Sequence, residues 1–205
     1  MKAKKLFAAI LSVGMIISGT TAAMAAPSMM NALDTNQVSA SEGTVTVEEK
    51  SVEDITAEYG EDAGKVAEAI QSATVDSTLQ EVFENALGAE NIADLEIKLF
   101  QDGVEGEAVD LSSMKVLSPL VDLQLDGAEP TEENPVDVTF TANNMTDDID
   151  VYVLHLCDAH DWEILSTDKT ADNQVVATFH SFSPVALVYA EAADAEADVE
   201  APATK

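Results

Sequence analysis

The sequence contains no arginine, a single cysteine and a single tryptophan among its 205 residues, and aromatic side chains make up only 5%. Its nine cationic side chains are all lysines, set against 39 aspartates and glutamates for a formal net charge of −30. Each shortage excludes something. Without arginine and at that charge, the chain has no means of tracking a phosphate backbone, so nucleic acid is ruled out as a partner. An anionic membrane surface would repel it. One cysteine permits no disulfide within the chain, so the fold must be held by its core, with Cys157 expected as a buried thiol. A glycine-rich phosphate loop, a G-x-S-x-G elbow and an EF-hand calcium loop are all missing, and no cofactor is expected.

What is present describes an exported globular protein. Hydrophobic residues reach 46% and charged residues 23%, the composition of a packed domain. Lys2, Lys4 and Lys5 precede an apolar stretch from Leu6 to Ile17, and Ala23 and Ala25 place small residues where a signal peptidase reads. Residues 1–25 are therefore expected to be a signal peptide cleaved after Ala25. The apolar stretch is too short to cross about 30 Å of hydrocarbon comfortably. No lipoprotein cysteine follows it, and the last residues, Ala201 to Lys205, carry no sortase-type anchor. The expectation is a secreted product, free or loosely held at the cell surface, with no membrane contact once the leader is removed.

Composition divides the rest. Residues 26–50 are small and polar and read as a flexible linker. Residues 51–91 read as a short helical hairpin. Ala63, Val66, Ala67, Ile70 and Ala73 form one apolar stripe, and Leu79, Val82, Phe83, Ala86 and Leu87 a second. Ser77 with Gln80 is the expected capping box of the second helix, and Gly88 its closing residue. Residues 92–190 read as strands. Val151 to Cys157 is apolar on both faces, as a central strand would be, and turns at Asp158–Asp161 and Asp168–Asn173 suggest a hairpin around each. About seven short strands with regular turn signals predict an antiparallel β-sandwich, so the fold class is α+β. Residues 191–205 read as a disordered acidic tail.

The densest group of chemically capable residues is His155, Cys157 and His160, with His180 on a strand expected nearby. Imidazole and thiolate are zinc ligands, and His155 and Cys157 share one face of a strand, so these three are the candidate zinc set. Asp147, Asp148 and Asp150 precede the same strand and Asp158 and Asp161 follow it; as hard oxygen donors they are the candidate calcium set. Ser181 and Ser183 lie close to His180 without the local geometry of a hydrolase nucleophile. With so many carboxylates, no single pair singles itself out for acid–base work.

Val151–His155, Trp162 with Glu163, and Phe179–Val188 together resemble a module of secreted and wall-attached proteins of Gram-positive, often gut-dwelling, bacteria. The likeness spans roughly 135–190, about a quarter of the chain. It implies an Ig-like β-sandwich on an exported protein and no particular catalytic activity. The reading that follows is a non-enzymatic binding or structural module acting outside the cell. Its partner would be a protein or the cell wall, and its oligomeric state is open. The alternative is a metal-binding accessory protein or hydrolase built on His155, Cys157 and His160.

Overall fold

The computed structural model describes residues 32–92, 95–143, 145–157 and 161–192. The expected leader, all but the first residues of the expected acidic tail, Asn144, Asp158 and His160 lie outside the described residues. Two strands come first, β1 (Ser39–Ala40) and β2 (Thr44–Glu48), then four helices: α1 (Val52–Tyr59), α2 (Glu61–Ser72), α3 (Leu79–Leu87) and α4 (Ala89–Ile92). Next are β3 (Lys98–Gln101), β4 (Val104–Ala108), β5 (Met114–Val116), β6 (Val121–Asp126) and β7 (Val136–Thr141). The last are β8 (Ile149–Cys157), β9 (Asp161–Leu165), β10 (Asp168–Ala171), β11 (Gln174–Phe179) and β12 (Pro184–Glu191).

The strands form two sheets. The smaller has the order β1-β7-β11-β10, and the larger β2-β6-β12-β8-β9-β3-β4 with β5 added against β12. Strand alternation gives the larger sheet two apolar faces. One face, with Leu123, Val151, Val153, Val185 and Leu187, shares a core with Val138, Phe140, Val175, Ala177 and Phe179 of the smaller sheet. The other, with Leu154, Leu156, Trp162, Ile164 and Val188, packs against Val66, Ile70, Leu79, Val82 and Phe83 of the helices. β8 lies between β12 and β9, so both of its edges are paired, and its two faces enter the two cores, as its composition requires.

The two expected stripes lie on α2 and α3, with their central residues buried. The capping box of α3 sits one residue later than expected. Thr78 accepts from the Glu81 amide and Glu81 accepts from the Thr78 amide, while Ser77 accepts from Thr74. A further helix, α1, precedes the pair, capped by Ser51 and separated from α2 by Gly60 at φ 96°. Gly64 is needed for close packing: a Cβ there would meet the Thr56 hydroxyl at 1.9 Å.

Several expectations need correcting. The twelve strands among the described residues exceed the roughly seven expected, and the pairing of β3 with β9 is parallel in an otherwise antiparallel set. Residues 32–50 were expected to be a linker, yet Ala32 and Leu33 are buried and β2 pairs along its length with β6. The turn at 168–173 does not join neighbouring strands into one hairpin. β9 stays in the larger sheet, the chain then crosses to the smaller one, and the hairpin there is β10 with β11. Trp162 lies edge-on to Phe83, 5.7 Å between ring centres, in the layer between sheet and helices.

One ion pair fastens α1 to the larger sheet. Asp122 on β6 is 2% exposed, and its carboxylate takes Lys50 at 2.8 Å and the Tyr59 hydroxyl at 3.2 Å. Burial alone would lower the pKa of Lys50, but its hydrogen bonds to Asp122 and Glu58 outweigh that and hold it above the ordinary lysine value. Removing one member of a buried pair leaves the other charge uncompensated. Lys50→Met is expected to cost about 3 kcal/mol in urea unfolding, and Lys50→Met with Asp122→Leu much less. Gly64→Ala gains helix propensity but is expected to lose about 1–2 kcal/mol net through the clash with Thr56. A Thr56→Ala partner substitution should recover most of that loss in the same unfolding assay.

Candidate functional site

A buried polar cluster lies at one end of the space between the sheets. It is placed there by strand alternation and register. In β8, His155 and Cys157 follow Val151 and Val153 on the face toward the smaller sheet. Antiparallel pairing of β8 with β9 sets Glu163 opposite His155. His180 comes from the other sheet, as the residue after β11, and Ser183 immediately precedes β12. All five are buried; His180 is the most exposed, at 7%.

The contacts are close. His155 Nδ1 is 2.8 Å from Glu163 Oε1, and His155 Nε2 is 2.9 Å from Ser183 Oγ. Ser183 also donates to the Leu156 carbonyl. His180 Nε2 is 3.2 Å from Cys157 Sγ and 3.5 Å from Glu163 Oε1. The Ser181 hydroxyl meets Cys157 Sγ at 3.6 Å.

Proton bookkeeping fixes the character of the pair. A serine hydroxyl carries one proton, and a carbonyl can only accept. Ser183 therefore donates to Leu156 and accepts from His155, which places a proton on Nε2. The contact at Nδ1 then shares one more proton with Glu163. Groups that share a proton in this way tolerate full burial together better than either would alone. His180 is shifted upward, first by its hydrogen bond with Cys157, against the effect of burial, and further by the Glu163 charge.

A nucleophilic relay needs the nucleophile at one ring nitrogen and the orienting acid at the other. Ser183, His155 and Glu163 stand in that order, but each is at most 1% exposed and the Ser183 hydroxyl is directed at the Leu156 carbonyl. Cys157 and Glu163 both meet His180 Nε2, and the thiol is 2% exposed. Ser181 and Ser183 serve as hydrogen-bonding partners in the cluster. The arrangement offers a sulfur, a nitrogen and an oxygen donor from Cys157, His180 and Glu163, all within 4.8 Å of one another.

The expected zinc set is regrouped by the fold. Cys157 is in the cluster, His155 touches it through Glu163, and His160 lies outside the described residues. Glu163 and His180 complete the donor set. Glu163 was not singled out from the sequence, although the antiparallel pairing of β8 with β9 places it opposite His155. The expected calcium set does not come together. Asp147, Asp148 and Asp150 stand exposed at the start of β8, with Asp147 paired to Lys169 at 2.8 Å, a bond that holds its carboxyl below the usual aspartate range. Asp161 is exposed near the far end of β8, beside Cys157, and Asp158 lies outside the described residues. A nine-residue strand separates Asp161 from Asp147, Asp148 and Asp150 by roughly 25 Å, too far for one ion.

No known family matches the chain, and no curated protein and no solved structure matches it either.

Removing one member of the cluster leaves its partners buried without that bond. Ser183→Ala is expected to cost about 1–3 kcal/mol and His155→Leu about 3 kcal/mol or more, because the latter leaves Glu163 without its histidine. Urea unfolding of the two variants beside the wild type checks the order. Equal and small losses would show that the cluster contributes little to stability.

Proposed function

We propose that this chain is an exported, non-enzymatic binding or structural module whose body is an Ig-like β-sandwich. It acts outside the cell, on a protein or cell-wall partner. The observation that carries the reading is the contrast between interior and surface. Cys157, His155, His180 and Glu163, the groups most capable of chemistry, are buried between the sheets and bonded to one another. The surface offers negative charge and strand edge instead.

β4 is the outermost strand of the larger sheet, and all five of its residues are exposed. It includes Val104, a large apolar side chain 68% exposed. β10 is the outermost strand of the smaller sheet and is exposed along its whole length. Edge strands present backbone donors and acceptors that an extended segment of a partner can pair with. The net charge favours basic or cation-coated partners and weakens that attraction as salt rises. The resemblance of residues 135–190 to a module of exported Gram-positive proteins supports the same compartment. The hydrolase form of the metal-binding alternative is disfavoured, because Ser183, His155, Glu163 and Cys157 are buried away from any substrate.

Lysine on an edge strand discourages pairing without disturbing the core. Immobilised wild-type protein should therefore capture its partner from native culture medium at low salt, and Val104→Lys should lose that capture. The Tm should stay within about 2 °C of wild type, since the site is on the surface. Undiminished capture by Val104→Lys would move the contact away from β4. Turnover of a polymer or ester by the purified wild type would end the non-enzymatic reading.

A further inference from the structure

We propose that Cys157, His180 and Glu163 form a zinc site that clamps the two sheets together at one end of their shared core. The inference does not depend on the partner proposed above. It rests on three features of the geometry.

The donor types are right. Thiolate, imidazole and carboxylate are the protein ligands zinc takes, and the mixture of soft and harder donors suits a borderline-soft ion rather than calcium or magnesium. Two of the three donor spacings also fit, and the third is within 4.8 Å. With bonds of about 2.0–2.3 Å, ligand atoms around tetrahedral zinc stand roughly 3.3–3.6 Å apart. Cys157 Sγ and Glu163 Oε1 already lie 3.2 and 3.5 Å from His180 Nε2. Two electron-rich atoms converging on one ring nitrogen is an arrangement that a single proton on that nitrogen serves poorly and a shared cation serves well.

The surroundings complete the argument. Metal-bound carboxylates are normally held by a further hydrogen bond that orients them. Glu163 has one from His155, which is itself fixed by Ser183 and, through it, by the Leu156 carbonyl. Cys157 is the last residue of β8 and His180 follows the last residue of β11, so two of the donors sit at strand ends, with Glu163 inside β9. Three protein donors leave one position of the tetrahedron for a solvent oxygen. Because Cys157 and Glu163 belong to the larger sheet and His180 to the smaller, the ion would cross-link the layers. It would do so in a chain whose single cysteine forms no internal disulfide.

The test uses the full chain, reduced and stripped with EDTA, then titrated with zinc and separately with cobalt(II) in physiological salt and millimolar calcium. The expected result is one zinc per chain, retained against the calcium. The Tm should rise by about 5–10 °C at a hundredfold excess of free zinc over Kd. Cobalt should give the near-ultraviolet thiolate-to-metal absorption of a cysteine ligand. Cys157→Ser should abolish that absorption, and Glu163→Gln and His180→Gln should each weaken zinc at least tenfold. Zinc uptake that calcium displaces, or that survives in Cys157→Ser, would show only diffuse attraction to an acidic surface and overturn the proposal. If the variants do not fold, the cobalt spectrum of the wild type decides alone: absence of thiolate absorption overturns the site.

Discussion

The fold depends on covering a sheet that is apolar on both sides. β8 carries Val151 and Val153 toward one layer and Leu154 and Leu156 toward the other, and neither side can face water without a large cost in exposed apolar area. The smaller sheet covers one face and the helices cover the other. Neither cover is independent: a few short helices and a four-stranded sheet each have too little core to stand alone, and each gains it from the shared sheet. Complete coverage has a consequence for β8 itself. Any polar residue in its buried part, Val153–Cys157, must be satisfied inside, so His155 brings Glu163 and Ser183 with it.

Charge is managed by sparing use of lysine. A chain at −30 repels itself when compact. Every lysine among the described residues is in an ion pair: Lys50 with Glu58 and Asp122, Lys65 with Asp62, Lys98 with Glu105, Lys115 with Glu191 and Lys169 with Asp147. Most of these are exposed and worth little each. Lys50 differs because its partner is buried, and because the pair sits where the chain leaves β2 and enters α1. The remaining acids lie largely on the surface, where solvent and salt screen them.

How much of this was legible in the sequence followed from how local each signal is. The stripes of α2 and α3 were readable because a helix brings its apolar residues together within a few turns. The central position of β8 was readable because apolar residues on both faces leave few alternatives. β2 was not, because Thr44–Glu48 is a brief alternation whose partner β6 is far along the chain; Glu48 and Gln124 touch across 76 residues. The change of sheet after β9 was hidden for a similar reason: a turn signal marks where the chain bends and not which sheet it enters next. The site was half visible. His155 and Cys157 share a strand face by simple alternation. Glu163 needed the length of the connecting turn, and His180 needed the stacking of one sheet on another.

The same two-sided burial gives the polar cluster a role that apolar packing cannot fill. Shifting a strand by one residue against its neighbour moves every side chain to the opposite face, and in most sheets that is prevented because one face is apolar and the other is not. β8 lacks that safeguard. Val153, Leu154 and Leu156 are tolerable on either side, so hydrophobic burial does little to define its register against β9. A one-residue slip of β9 would instead separate His155 from Glu163 and turn the carboxylate to the side of Leu154 and Leu156, among apolar neighbours with the helices beyond. Leaving a charge there is far more costly than misplacing a methyl group. The pairing of one histidine with one glutamate therefore selects the register that the apolar residues leave open. That register also brings Cys157 and Glu163 together beneath His180.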